Sequence, residues 1–531
     1  MNAPALVVLL TQAAIVGWFC LLGAFGGSIA RPSVGSFAAI RVALWLGLAI
    51  ATLIVVVVGL FVPAKGTTSL AWAGILTLGC ALVWLLVRVR RGRIVDPPAA
   101  VARSWWVLVP IGALVLLALA TAHLAFGPVT NYDTGLYHLN AIQYASDHST
   151  IPGLANLHPR LGTNLSAFDL AAFLGNTAWG ADAFRLLVGI YLLTVSTDVT
   201  LRLLDTRTSA RRLPGTYLLL ISLAVAIPGV MQAPDYNVTG SSPDTIALAL
   251  TLVAGAYLAD ALYTRDRSWI AVALVTSVLA ASVRTQLWVL VAVTAAVLVI
   301  NAIIHRRGES GSGRTALVVI GGVLSGLTFV AMMVSDAVLS GWLLFPMTYL
   351  PIPVDWRVPQ ATADSTREWI MSLARDRAAG PEQTLTSWYW VPDWLRASIV
   401  EWSLAGAIGL LSFALIVWLA TRRWNDGEQT PSRSRDALVV LLLALAPAVV
   451  TVLAWFVTAP DPRFAWGPLL LLGAIPAAFA LQRLAGDGGA RAVVLPIAAG
   501  LLGLAVVPAA VGQVAAIQGD PGGAFGYEFR T

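Results

Sequence analysis

Apolar runs of roughly twenty residues recur along the whole chain, each the length that a helix needs to cross the hydrocarbon core of a bilayer. Polar segments separate these runs, and most of the segments are short. The pattern predicts about fourteen membrane-spanning helices, at residues 4–28, 40–62, 68–87, 104–124, 183–203, 214–230, 243–263, 268–283, 286–304, 315–338, 400–420, 436–458, 464–482 and 492–513. Only residues 282–285 interrupt the apolar stretch 268–304, so whether it forms one span or two stays open.

Composition supports the same class of protein. Of the 531 residues, 58% are hydrophobic and 11% are charged, whereas about a quarter of the residues in a soluble domain are charged. We therefore expect an all-α, polytopic membrane protein with membrane-surface helices in its outer loops. The first apolar run lacks the basic start and the cleavage site of a signal peptide, so we interpret it as a span. Cys20 and Cys80 fall inside predicted spans and indicate neither a disulfide frame nor a metal site.

Arginine sets the predicted orientation, because basic residues recur in alternate loops and such loops stay on the cytoplasmic side. These loops carry Arg31 and Arg41, Arg88–Arg103, Arg207–Arg212, Arg265 and Arg267, Arg306–Arg314, Arg422–Arg435, and Arg483 and Arg491. Both termini then lie outside, together with the polar segments 125–182, 231–242 and 339–399. The net charge of +6 needs no nucleic-acid partner, since basic loops beside anionic lipid headgroups account for it.

The spans and polar segments divide the chain into four parts. These are a three-span N-terminal segment (1–103), a core with the outer loop 125–182 (104–338), an external cap (339–399) and a four-span C-terminal segment (400–531). The cap contains six tryptophans, among them Trp356. A belt of aromatic residues at the headgroup level explains some of them. Six indoles in one loop are also typical of a sugar-binding surface, because indole faces stack on pyranose rings. The run 365–378 predicts an interfacial helix.

Asp133 follows the fourth predicted span, at the start of the outer loop 125–182. A carboxylate at the edge of a membrane is costly unless it is solvated, paired or used. Residues 134–147 have the periodicity of a helix, so the Asp133 side chain is also well placed to cap that helix. Position alone does not decide between a capping residue and a functional carboxylate.

A dense polar run follows at 151–164, where Pro and Gly end the helix and His158, Arg160 and Asn164 lie close together in the sequence. Arginine binds phosphate through a fork of donors, and histidine accepts or donates a proton near neutral pH. His158 by itself fits an ordinary interfacial loop. The whole cluster, on the same side as Asp133, favours a functional role.

Charged residues also mark the remaining outer loops. Asp235 lies in the loop 231–242, and Asp244 opens the next span, where an acidic residue is typical of a helix start. Arg284 interrupts the apolar stretch 268–304 and needs an anionic partner or substrate. In the last outer loop, Asp461 and Arg463 form either a local ion pair or part of a phosphate site.

This arrangement resembles the GT-C superfamily of membrane glycosyltransferases. The resemblance is carried by an acidic residue near the start of an outer loop (Tyr132-Asp133-Thr134), by membrane-surface helices in that loop, and by Pro462-Arg463-Phe464 at the outer end of a late span. The stretches YDTGLYH at 132–138 and NLHPRLG at 156–162 also resemble a group of bacterial multi-span proteins regarded as GT-C-like. Three spans precede the acidic loop here, and Thr134 stands where a second acidic residue is common.

The resemblance implies an inverting glycosyltransferase of the bacterial cell membrane, with its active site on the external face. It would move a sugar from a polyprenyl-phosphate donor to a hydroxyl of a glycan or glycolipid. Asp133 would be the catalytic base, and Arg284, Arg463 and Arg160 would bind the donor phosphate. Further candidates for substrate binding are His138, His158, Asn164, Asp235, Asp244 and Trp356. The donor carries the energy of the reaction, so no cofactor is required, and dependence on a divalent metal stays open.

Two alternatives stay open beside the transferase. A transporter or lipid flippase calls for charged or broken helices in the middle of the bilayer and for two repeated halves. A polymerase or ligase of the O-antigen type also acts on lipid-linked glycans. A single outer groove that holds Asp133 favours the transferase, whereas a central cavity open to both sides favours a transporter.

Overall fold

The computed structural model describes residues 3–30, 36–91, 108–205, 213–304, 312–422 and 431–486. Within these ranges the chain is almost entirely helical, with one antiparallel pair of short strands. The elements are α1 Ala3–Ala30, α2 Ser36–Gly59, α3 Thr67–Arg91, α4 Leu108–Leu124, α5 Leu139–Asp147, α6 Ser166–Leu174, α7 Leu187–Leu204, α8 Pro214–Val230, α9 Pro234–Asn237, α10 Pro243–Thr264, α11 Arg267–Val283, α12 Trp288–Ile304, α13 Ser312–Ser340, β1 Trp342–Leu344, β2 Met347–Pro351, α14 Gln360–Arg375, α15 Pro381–Thr384, α16 Val391–Ser398, α17 Trp402–Arg422, α18 Pro431–Thr458 and α19 Trp466–Gly486.

Ten of the described helices are long and apolar enough to cross a membrane, judged by length and composition, and α4, α8 and α11 are shorter apolar helices. These thirteen helices coincide with thirteen of the predicted spans, and the remaining span, 492–513, lies outside the described residues. The expected class, an all-α protein with many membrane-spanning helices, is confirmed at this level.

The stretch 268–304 forms two helices, because the chain leaves the helical conformation at Arg284 (φ −142°, ψ 106°). A single 3₁₀ turn, Thr285–Leu287, then leads into α12. The helices α11 and α12 pack against each other, so the charged residue between them lies at a sharp bend. The bend places Arg284 at the end of both helices and not in the middle of one long span.

The helix α10 lies at the centre of the bundle, since its whole apolar stretch is buried. The helices α7, α8, α11 and α19 pack around it. The helices α1 and α2 approach each other through two glycines. A Cβ atom on Gly23 would overlap the carbonyl of Ala43, and one on Gly47 would overlap the carbonyl of Phe19. Small residues at such a crossing let two backbones touch, which is how helices gain packing energy inside a membrane.

The loops predicted to be external meet at one end of the bundle. They are segments 59–66, 125–182, 231–242, 284–287, 341–401 and 459–465, and we call this end the site end. Backbone hydrogen bonds join them, as from the N–H of Ala64 to the carbonyl of Ala145 at 2.8 Å. The N–H of Gly153 likewise donates to the carbonyl of Val338, near the end of α13, at 2.9 Å. The common location of these loops agrees with the alternation of spans that the arginine pattern predicts.

The helices predicted in the outer segments are present, and only the helix in the cap has shifted bounds. Residues 134–147 form one π-helical turn, Thr134–His138, that continues into α5. A π turn adds a residue to the helical ladder, and such turns are frequent at functional sites. In the cap, α14 begins earlier than the predicted run 365–378 and ends at Arg375.

Candidate active site

Four segments bring charged and polar side chains together at the site end. They are residues 131–138 after α4, the loop 231–242 that leads into α10, Arg284 between α11 and α12, and the loop 459–465 between α18 and α19. Helix ends hold each of these segments in place, so the side chains that they carry converge from four parts of a rigid bundle.

Asp133 directly precedes the π turn, in right-handed helical conformation (φ −63°, ψ −28°), and its side chain makes no capping hydrogen bond. The capping interpretation of Asp133 is therefore wrong. Its Oδ2 accepts a hydrogen bond from Nη1 of Arg463 at 3.0 Å, and the side chain is 17% exposed. Its backbone N–H donates to Oδ1 of Asn131 at 2.9 Å. The carboxylate is thus oriented by a cation from a distant part of the chain.

Arg463 has polar partners on two sides. Its Nε donates to Asp461 at 3.2 Å, and its Nη1 also donates to the hydroxyl of Tyr236 at 3.1 Å. Burial opposes the positive charge, but the carboxylates of Asp461 and Asp133 outweigh it and raise the pKa of Arg463 above its ordinary value. The local ion pair between Asp461 and Arg463 is present, and it extends to Asp133.

Arg284 forms an ion pair with Asp244, and both side chains are almost completely buried. Asp244 lies in the first turn of α10, as expected, but its carboxylate faces Arg284 and caps no backbone group within the described residues. Burial lowers the pKa of Arg284 to about 10, despite the carboxylates of Asp461 and Asp133 nearby. The ring of Phe464 lies 4.4 Å from the Arg284 guanidinium and 5.1 Å from that of Arg463. The two cations are therefore neighbours.

Tyr137 and His138 form a buried aromatic wall beside these charges, with ring centres 4.4 Å apart. Burial, which outweighs the attraction of Asp133, lowers the pKa of His138 to about 3. Burial also raises the pKa of Tyr137. Both rings are consequently neutral near pH 7. The Nδ1 of His138 lies 3.3 Å from the hydroxyl of Thr134, and its Nε2 has no hydrogen-bond partner in the described part of the chain. The guanidinium of Arg160 lies 5.6 Å from the centre of the Tyr137 ring.

Tyr236 is a member of the cluster that sequence reasoning missed. Its hydroxyl meets Arg463, and its backbone carbonyl accepts from the side chain of Asn131 at 3.3 Å. The neighbouring Asp235 lies on another side of the loop, close to Gly127. Burial raises the pKa of Asp235. No contact between Asp235 and the Asp133–Arg463 pair occurs among the described hydrogen bonds and ion pairs. In the sequence, only the position of Tyr236 next to an acidic residue of an outer loop pointed to it.

His158 and Trp356 have clear local roles in the structure. The Nδ1 of His158 accepts from the backbone N–H of Arg160 at 3.2 Å and so caps the 3₁₀ helix Pro159–Gly162. The backbone carbonyl of Trp356 accepts from the side chain of Asn156 at 2.7 Å, and its Cβ packs against Gly153. Gly153 has a φ of +73°, which favours glycine. These contacts fasten the cap to the outer segment.

Asn164 belongs to a separate buried cluster. Its backbone N–H donates to Oδ1 of Asp336 at 2.8 Å, its side-chain amide donates to Sδ of Met332 at 3.8 Å, and the carboxyl group of Asp169 lies close by. Burial raises the pKa of Asp169 to about 7. A cavity of about 50 Å³ borders Asn164 and Asp169. Sequence reasoning placed Asn164 with His158 and Arg160, and it missed both acidic partners.

Several of the cap tryptophans serve to hold the cap together. Trp342 and Trp390 are buried, with 3% and 2% of their surface exposed, so they offer no stacking face to a ligand. Trp390 and Trp394 pack on Phe456 near the end of α18. A sugar-binding role for all six tryptophans is therefore wrong, and Trp356, Trp369 and Trp388 are the more exposed members of the set.

A second group of charges lies inside the spans, at the end opposite to Asp133. Arg202 contacts Asp260 at 2.6 Å and Asp198 at 3.5 Å, and Arg41 lies 3.8 Å from Asp198, all completely buried. We call these four residues the buried ionic cluster. The sequence analysis placed Arg41 in a cytoplasmic loop, which is wrong, because the residue lies within α2. It also missed charges inside the spans, since single charges do not interrupt the hydropathy of a long apolar run.

A family comparison covers nearly the whole of the bundle. The family model described as a domain of unknown function (DUF8201) matches residues 6–470. The chain belongs to the DUF8201 family. The match includes Asp133, Arg284 and Arg463, so the candidate site lies within the family domain. No curated protein and no solved structure matches the chain.

The cluster combines groups that suit group transfer from an anionic donor. A partly exposed carboxylate and two neighbouring cations lie together, each engaged in an ion pair, and a neutral imidazole lies beside them. Among the described residues, no three His, Cys, Asp or Glu side chains lie close enough together to hold a metal ion.

Proposed function

We propose that the chain is an inverting glycosyltransferase of the GT-C type. It moves a sugar from a polyprenyl-phosphate donor to a hydroxyl of a glycan or glycolipid at the outer face of a bacterial cell membrane. The observation that carries this proposal is the contact between Asp133 and Arg463. A carboxylate and a guanidinium from segments 330 residues apart lie 3.0 Å from each other where the predicted outer loops meet. Transfer from a lipid phosphate needs a base and an anion-binding group side by side.

In the proposed reaction, Asp133 takes the proton of the acceptor hydroxyl as the acceptor oxygen bonds to the anomeric carbon. The bond between that carbon and the phosphate oxygen breaks, and the polyprenyl phosphate leaves with the bonding electrons. Arg463 and Arg284 stabilise the charge that develops on the phosphate. Attack from the side opposite to the leaving group inverts the anomeric carbon, so no covalent sugar–protein intermediate forms.

Entry of the donor requires an exchange of partners within the cluster. Arg463 is 25% exposed and already contacts two carboxylates, while Arg284 contacts Asp244. A phosphate group that binds between the two cations replaces part of these contacts, and it leaves the Asp133 oxygen free for the acceptor. The carboxylates keep the site electrically balanced until the donor arrives, which lowers the cost of holding two guanidinium groups close together.

Transport of a lipid carrier is a second candidate function, and the buried ionic cluster supports it. Charged residues inside membrane spans often mark the path of an ion or substrate. Here, however, the two arginines and two aspartates compensate one another's charge. A flipping assay with fluorescent polyprenyl phosphate in vesicles tests this candidate directly, and the polymerase or ligase alternative is tested by the products formed on a lipid-linked glycan.

The variant Asp133→Asn tests the transferase proposal in the full-length protein in lipid nanodiscs. Asparagine keeps the shape of the side chain but lacks the basic oxygen. The variant should fold, still bind the polyprenyl-phosphate donor and lose turnover by a factor on the order of 10²–10⁴. Mass spectrometry of envelope glycans and carrier lipids from a deletion strain identifies the sugar and the acceptor for the assay.

Asp393→Asn is the matched control, because Asp393 also forms an ion pair with an arginine but lies exposed on the cap. Its turnover should equal that of the wild type. Near wild-type transfer by Asp133→Asn contradicts the assignment and makes Asp235 the next candidate base. Loss of folding in Asp133→Asn instead shows that the carboxylate is needed for structure.

A further inference from the structure

A groove of about 520 Å³ lies between the 3₁₀ helix Pro159–Gly162 and α14 of the cap. Its volume falls within the range of roughly 300–1,000 Å³ that is usual for ligand pockets. One wall is made by His158, Pro159 and Arg160, and the other is one face of α14. The groove therefore opens at the site end, outside the membrane-spanning helices.

The α14 wall has the chemistry of a saccharide site. Thr362, Ser365, Thr366 and Trp369 line the groove, and their spacing places them on a single face of the helix. Three hydroxyl groups there can exchange hydrogen bonds with sugar hydroxyls. Trp369 is 50% exposed. Unlike Trp390, it takes part in no ring cluster within the described part of the chain, so its indole face is free to stack on a pyranose ring.

The opposite wall links the groove to the candidate active site. Arg160 lines the groove, and its guanidinium lies 5.6 Å from the Tyr137 ring. Tyr137, which follows Asp133 by four residues, in turn packs against His138. A chain-like ligand that lies along α14 thus reaches the aromatic wall beside the carboxylate by passing Arg160.

The lining argues against the lipid donor as the occupant. A polyprenyl tail needs a long apolar surface, whereas three of the six α14 residues that line the groove carry hydroxyl groups. The lining includes one permanent cation, Arg160, and the Nδ1 of His158 is already engaged as a hydrogen-bond acceptor. This set is poorer in positive charge than the Arg284–Arg463 pair, where the phosphate is placed.

We propose that this groove binds the acceptor, as a hydroxyl-rich glycan chain with one sugar ring stacked on Trp369. The reacting hydroxyl at the end of the glycan then lies beyond Arg160, towards Asp133. The role as acceptor site rests on the proposed transferase function, whereas the binding of a saccharide by the groove can be tested without it.

The test uses full-length protein in nanodiscs and an array of neutral tri- and tetrasaccharides of glucose, galactose, mannose, rhamnose and arabinose. Wild-type protein should bind a subset of these probes. Trp369→Ala should weaken that binding by roughly tenfold, which corresponds to about 1.4 kcal/mol, because the substitution removes the stacking face. Trp369→Phe should keep part of the affinity, which shows that the cap is still folded.

Tyr349→Ala is the control, since Tyr349 is an aromatic residue of the same cap that is 77% exposed and does not line the groove. It should bind the probes as the wild type does. The proposal is overturned if wild-type protein binds none of the saccharides, or if Trp369→Ala binds them normally. It is also overturned if inorganic phosphate displaces the saccharide and only Arg160→Gln weakens binding, because the groove is then an anion site.

Asp133→Asn separates this proposal from the transferase function. Asp133→Asn should still bind the saccharides, and this binding should still depend on Trp369, because the carboxylate does not line the groove. If saccharide binding depends on Trp369 but transfer does not depend on Asp133, the groove is a saccharide site and Asp133 is not the base. If transfer depends on Asp133 but not on Trp369, the assignment of the base is supported and the groove is not the acceptor site.

Discussion

The contact between Asp133 and Arg463 can be measured by a double-mutant cycle. The single variants are Asp133→Asn and Arg463→Gln, and the double variant carries both changes. Asp133→Asn leaves Arg463 with Asp461 as its remaining carboxylate partner. Arg463→Gln has the larger effect, because it leaves Asp133 and Asp461 as partly buried anions without their shared cation.

The size of the coupling follows from the geometry. Across 3.0 Å, with an effective dielectric constant of about 20, two unit charges attract each other by roughly 5–6 kcal/mol. Desolvation cancels much of this attraction, and the side chains are 17% and 25% exposed, so that water screens the remainder. We therefore expect a coupling free energy of about 2 kcal/mol, within the range measured for close charge pairs at interfaces.

The free energy of unfolding is measured by chemical denaturation of the detergent-solubilised protein for the wild type and the three variants. The ion pair between Asp393 and Arg396 is the control, since its atoms approach to 2.6 Å but its side chains are 83% and 78% exposed. Its coupling should be about 0–1 kcal/mol. A coupling at Asp133–Arg463 no larger than that of the control refutes the reasoning, because the contact then does not position the carboxylate.

Three further predictions concern topology, phosphate binding and pH. Single cysteines placed at Thr150 and Gly380 should react with an impermeant thiol reagent from outside the cell, and a cysteine at Glu428 should not; the reverse pattern contradicts the orientation. Arg284→Gln should weaken binding of the polyprenyl-phosphate donor, and Arg284→Lys should restore only part of it, since lysine lacks the planar fork; full binding by the Gln variant leaves Arg284 with a structural role only. Burial raises the pKa of Asp169 to about 7 from 3.8, so between about pH 4 and 7 this carboxyl group is protonated in the folded protein and ionised in the unfolded chain. Its contribution to the free energy of unfolding should therefore decrease as pH rises through this window, whereas that of His138, whose pKa burial lowers to about 3, should increase. Denaturation curves of the wild type and of Asp169→Asn, compared across this window, should differ by the Asp169 contribution.

The helices were predictable from the sequence because hydropathy is a local property. Within the described residues, each long apolar run corresponds to a helix, and the interruption at Arg284 marks a bend between two helices. The start of the helix after Asp133 was also predictable, but its π turn was not, since an extra residue within one turn leaves the apolar pattern almost unchanged. The sequence position of Asp133 also fitted a role in capping this helix, but the side chain makes no capping hydrogen bond in the structure.

The pairing of charges could not be predicted, because it depends on how distant helices pack. Asp133 and Arg463 were each identified as candidates, but their contact was not. Arg284 was expected to need an anionic partner, and that partner is Asp244, for which a helix-start role had been inferred. The buried ionic cluster escaped notice because Asp198 and Asp260 look unremarkable within long apolar runs, and only the folded bundle shows what neutralises them.

The separation of Asp133 and Arg463 along the chain has a consequence for the order of synthesis. A ribosome makes Asp133 soon after α4 and needs 330 more residues to reach its partner. At about 5–20 residues per second, the carboxylate waits for roughly 15–65 s before the arginine exists. During that interval the nascent membrane protein presents an acidic residue without its arginine partner. A chain that stops at the end of α18 already contains the groove and its tryptophan but lacks Arg463, so translation to nearly the end of the family domain is required before Asp133 and Arg463 can meet.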